Sequence, residues 1–119
     1  MHISRNEKSL RDTLRKARVR PESGGCGSII YNAAHSICKE GRVFYVLTAI
    51  PDRFDDTFEI LVDDKLVVRF ELSRNIPTPT NVEILNIDEY KKNNYRKRGG
   101  QKINIAIEYA RSDIDSCNY

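Results

Sequence analysis

Cysteine and histidine are scarce in this chain, and their scarcity excludes several chemistries. Three cysteines, Cys26, Cys38 and Cys117, form an odd set without a C-x-x-C pair. That fits neither a disulfide framework nor a thiolate zinc site, so reduced thiols are expected. Two histidines, His2 and His35, would leave any metal to scattered carboxylates whose spacing marks no ligand set. No metal and no cofactor is expected. No apolar run approaches the roughly 18 to 20 residues that cross a bilayer, which removes the membrane as a partner. The start, "MHISRNEKSLRDTLRKARVR", lacks the apolar stretch of a secretory signal, and Glu7 and Asp12 argue against a transit peptide. The expected location is cytoplasmic. The G-x-x-x-x-G-K-[ST] and G-x-G-x-x-G patterns of nucleotide-binding loops are absent as well.

What is present describes one folded domain. The 119 residues suffice for a single core, and 39% hydrophobic with 31% charged residues is a globular balance. Residues 110–119 read as a polar tail that frays. Ile3, Leu10, Leu14 and Ala17 share one side of a helix over 5–19, which Pro21 ends. Ile29, Ile30, Ala33, Ala34, Ile37 and Cys38 mark a second helix from Ser28 to Gly41. "RVFYVLTAI" reads as a strand covered on both faces. "TFEILVDDKLVVRFEL" alternates on either side of an Asp-Asp-Lys turn, the pattern of an antiparallel hairpin. "IPTPT" is an extended connector and "VEILNI" another strand. "DEYKKNNYRKR" predicts a short basic helix or a loop. "KINIAIEY", with Ile103, Ile105, Ile107 and Tyr109 in alternation, predicts a last strand. The fold class is therefore α+β: two N-terminal helices packed on one face of a mostly antiparallel four- to five-stranded sheet, with the basic helix or loop before the last strand.

Charge is segregated along the chain. Residues 1–20 hold seven Lys/Arg and two acids, residues 51–64 six acids and one Arg, and residues 91–102 six Lys/Arg and no acid. The last block, within "YKKNNYRKRGGQK", interleaves cations with aromatics. Lys91, Lys92, Arg96, Lys97, Arg98 and Lys102 can release counterions from phosphates, and Tyr95 can stack on an unpaired base. With Arg11, Arg15 and Arg18 of the first helix in support, this composes a nucleic-acid surface suited to RNA or single strands. The competing reading is a partner protein, gripped as inhibitors or immunity and accessory proteins of bacteria and phages grip theirs, through Asp55, Asp56, Asp63 and Asp64. Acidic loops and a basic end also permit a homo-oligomer.

An enzyme is the third reading. Cys26 in "SGGCGS" sits before a helix, where the dipole and free N–H groups favour a thiolate or an anion. His35 could act in a metal-free ribonuclease. Nine residues of helix separate the two by about 13 Å, too far for direct proton transfer. The simplest reading of the glycines is a bend between two helices.

Overall fold

The computed structural model describes residues 5–116 apart from 74, 77 and 95–98, with side chains described over 7–92 and 101–116 of that range. Its elements are α1 (Arg5–Arg15), β1 (Arg18–Val19), a 3-10 turn (Pro21–Ser23), α2 (Gly25–Ile37), β2 (Phe44–Pro51), β3 (Asp55–Val62), β4 (Leu66–Ser73), β5 (Thr80–Asn86), α3 (Ile87–Asn94) and α4 (Gly99–Ser116). The fold is α+β, with one five-stranded antiparallel sheet in the order β1-β2-β3-β4-β5.

The central hairpin forms where alternation predicts it. Val62 pairs with Leu66 across the Asp63–Lys65 turn, and Phe58 pairs with Phe70. Asp63 adopts φ +53° there, a left-handed conformation that Asp tolerates better than most residues. Its Oδ1 accepts the N–H groups of Arg42 and Val43, both at 2.9 Å, so the turn is tied to the loop entering β2. In that loop, a Cβ on Gly41 would come within 2.7 Å of side-chain atoms of Phe44 and Val62. Only glycine lets the backbone approach so closely.

Both faces of the sheet are apolar, so both must be covered. Tyr45, Leu47, Leu61, Val67 and Leu85 pack with Leu14 of α1, Tyr90 of α3 and Ile103, Ala106, Ile107 and Ala110 of α4. Phe44, Phe58, Ile60, Val62, Val68, Phe70 and Leu72 pack with Ala33 and Ala34 of α2 and with Val19. The expected placement of the two N-terminal helices on one face is thus corrected: α1 and α2 lie on opposite faces. The first helix stops at Arg15, and Arg18 and Val19 then join the sheet edge beside Tyr45 and Phe44. The chain passes around that edge and emerges on the other side. Gly24 and Gly25, at φ +72° and +52°, turn it into α2, which starts at Gly25, ahead of the expected Ser28.

The last predicted strand is a helix. Ile103, Ile105 and Ile107 do alternate, but Ile103, Ala106, Ile107, Ala110 and Ile114 also recur at helical spacing. With no proline from Gly99 to Ser116, a helix is long enough to cover the sheet face that α1 leaves open. The predicted basic helix or loop accordingly begins as a helix, α3 over Ile87–Asn94, and the next described element after it is a helix rather than a strand. Ala110 is buried and Ile114 packs at the core margin, both within α4.

Candidate functional site

Glu59 sits on the α4-facing side of β3, two positions from Leu61 of the same face, and is only 4% exposed. It is the one charged residue in the described core. A carboxylate taken out of water needs partners, and two elements supply them. Arg69 on β4, directly opposite in the register, donates from Nε at 3.1 Å and Nη2 at 2.6 Å. The Tyr90 hydroxyl of α3 donates at 3.3 Å. Arg69 also reaches Glu83 of β5 at 3.5 Å. Burial, then the Glu59 charge, pushes the Tyr90 phenol up to about 12. Burial pulls the Lys102 ammonium of α4 below its ordinary range, against the pull of the Glu59 charge. This cluster fastens α3 to the sheet.

The predicted basic surface is divided by the fold. Lys91 and Lys92 close α3, and Lys102 lies in the first turns of α4. Tyr95, Arg96, Lys97 and Arg98 lie outside the described residues. Arg11, Arg15 and Arg18 turn toward the other half of α4. Arg11 reaches Glu108 at 3.3 Å and Glu7 at 3.6 Å. Arg15 donates to the Tyr109 hydroxyl at 3.4 Å, and both guanidinium groups lie over the Tyr109 ring at about 6 Å. Arg18 pairs with Asp113 at 3.3 Å, and the same carboxylate accepts from the Tyr45 hydroxyl. Seven residues of helix, about 10 Å, separate Lys102 from Tyr109. Arg11 and Arg15 therefore dock α1 on α4, and Arg18 ties β1 to the same helix, at a part of it removed from Lys102.

The acidic residues are divided too. Asp55 and Asp56 open β3 while Asp63 and Asp64 follow its end, roughly 25 Å away at about 3.3 Å per residue. Asp63 is committed to two backbone N–H groups and Asp64 to Arg111 at 3.0 Å. They border an open cleft of about 730 Å³ with Cys38, Arg42, Lys65 and Ile114. Burial and the Asp63 charge raise the Cys38 thiol above its usual range, which disfavours a thiolate there.

Asp55 and Asp56 belong to a different environment. The turn between β2 and β3 carries Phe54, 74% exposed, with Ile50 exposed just before it. The β4–β5 connection returns at the same end of the sheet and exposes Ile76. Half of the six large apolar side chains exposed among the described residues thus lie at one end, beside Asp52, Asp55 and Asp56.

Cys26 is exposed in the first turn of α2. The His35 ring stacks on Tyr31 at 5.5 Å and meets the edge of Phe44 at 6.1 Å. The fold keeps the two apart along one helix. Among the described residues no three His, Cys, Asp or Glu side chains gather as a metal site, and no helix is long and apolar enough to cross a membrane.

No known protein family, curated protein or solved structure matches the chain. The assignment rests on the side chains. Sequence reasoning missed Glu59, which looked like one more polar residue of an alternating strand. Its signal is that Phe58 and Ile60 make one side of the strand apolar and Leu61 the other, so that Glu59 beside Leu61 has no place in water once a helix covers that face. Phe54 was also missed, although an aromatic flanked by "DR" and "DD" in a turn is the pattern of an exposed anchor.

Proposed function

We propose that the protein is a non-catalytic binding module that docks a partner protein through the β2–β3 end of its sheet. The partner surface is basic around an apolar pocket. One observation carries this reading: Phe54, 74% exposed at a hairpin tip, stands among Asp52, Asp55 and Asp56. Seating a phenyl ring in a pocket contributes about 1.5–3 kcal/mol, and the carboxylates around it favour a basic surface and speed encounter. Such a surface suits a small inhibitor, immunity or accessory protein. Affinity capture from nuclease-treated extract tests it with Phe54→Ala and with Asp55→Asn/Asp56→Asn. Both variants should lose a stoichiometric partner that the wild type retains, and an undiminished complex would refute the assignment.

A second reading keeps the polyanion partner, favoured by Lys91, Lys92 and Lys102 on either side of the segment that carries Arg96, Lys97 and Arg98. The engagement of Arg11, Arg15 and Arg18 with α4 removes the support expected from α1. Binding to single-stranded RNA should then fall steeply with salt, and Arg96→Glu with Arg98→Glu should flatten that dependence. Affinity that ignores both changes would dispose of this reading.

A further inference from the structure

We infer that β5 pairs antiparallel with β5 of a second copy, extending the sheet across a two-fold axis. The sheet has two edges, and they differ. On the β1 side, β1 is two residues long, the Val46 N–H is bonded to the Ala17 carbonyl at 2.9 Å, and β2 ends in Pro51, which has no N–H. On the other side β5 presents seven residues, "TNVEILN", with only Leu85 buried.

Edge strands are usually protected by lysine, proline, a bulge or an unpaired charge. Between residues 80 and 86 there is no lysine, arginine or proline, and the one charge, Glu83, is bound to Arg69. A bulge does occur on β5 itself, where Asn81, at φ +51°, and Val82 together stand opposite the single residue between Arg69 and Glu71. It is confined to the start of the strand, since the pairs from Arg69↔Glu83 to Leu66↔Asn86 are regular.

The apolar ladder shows what the edge lacks. Val46, Ile60, Val68 and Ile84 are successive cross-strand partners in one row on the α2-facing side of the sheet. The row is covered until it reaches Ile84, 55% exposed, with Val82 beside it at 46%. A second copy centred on Ile84 continues the row with its own Ile84, Val68, Ile60 and Val46. In that register Glu83 meets Leu85 of the second copy, whereas a register centred on Glu83 would oppose two carboxylates. Because the other edge is nearly closed, pairing stops at two copies. This surface is independent of the hairpin end carrying Phe54.

Sedimentation equilibrium of the full chain, from micromolar to millimolar, tests the proposal. The mass should rise from 13.7 kDa toward twice that value. Ile84→Lys should weaken association at least about a hundredfold, by removing two apolar contacts and opposing two ammonium groups. Ile29→Lys, at another exposed isoleucine on α2, should leave it unchanged. Hydrogen exchange on the wild type covers the case in which Ile84→Lys does not fold: amides of residues 82–86 should gain protection with concentration. A wild type that stays monomeric at millimolar concentration, or a dimer without that protection, would overturn the inference.

Discussion

Removing Arg69 should destabilise the fold more than removing Glu59, although the two form one ion pair. In Glu59→Ala, Arg69 loses both hydrogen bonds to the carboxylate, but its side chain is 44% exposed and can turn to water. The Tyr90 hydroxyl loses the Glu59 acceptor. Breaking a buried pair costs about 3–5 kcal/mol, and solvent access to Arg69 lowers that to about 2–3 kcal/mol. Arg69→Ala strands a carboxylate that is 4% exposed, so the full cost of about 3–5 kcal/mol applies. Glu59→Gln preserves the volume and an acceptor and should cost about 1–2 kcal/mol. Urea titration followed by far-ultraviolet circular dichroism gives all three from shifts of midpoint at constant slope. Equal costs for the two alanine variants, or a Glu59→Ala protein as stable as wild type, would refute the idea that this cluster is desolvated beneath α3 and α4.

Three further predictions concern the frame. Asp63→Ala should cost about 2 kcal/mol in the same titration, through loss of two acceptor contacts in a left-handed turn, and Asp63→Asn less than about 1 kcal/mol, because the amide oxygen can still accept. Gly41→Ala should cost about 1–3 kcal/mol, since its Cβ would press into Phe44 and Val62; an unchanged melting temperature would show that the loop yields freely. Burial raises both the Tyr90 phenol, to about 12, and the Tyr45 phenol, the latter helped by its bond to Asp113, above the ordinary value of 10.0. Their contribution to stability is therefore complete below about pH 10 and lost as the pH rises toward 12. With no tryptophan in the chain, phenolate absorbance can follow this directly: part of it should appear only together with loss of circular dichroism, and complete titration of all tyrosines in a folded protein would contradict the burial.

The hairpin and β5 could be read from sequence because period-two alternation and a turn act locally. α4 could not, since isoleucines at 103, 105 and 107 satisfy the strand period and, with Ala106 and Ala110, the helical one. What decides between them is the uncovered sheet face, a tertiary demand. The division of α1 and α2 between faces was hidden for the same reason, because it depends on two residues, Arg18 and Val19, pairing at an edge. Charge blocks were visible in the sequence, but their geometry was not. Asp55/Asp56 and Asp63/Asp64 look like one acidic region until a strand holds them at opposite ends, and Arg11, Arg15 and Arg18 look available until Glu108, Tyr109 and Asp113 meet them.

The most direct test of the central claim places a photo-crosslinking phenylalanine analogue at position 54 and, as a control, at the exposed Asn104 of α4, then irradiates each in nuclease-treated extract at low and high salt. Docking through the hairpin end predicts one protein adduct at position 54, weakened by salt and by Asp55→Asn/Asp56→Asn, with none at 104. No adduct at 54, or the same adducts at both positions, would contradict it.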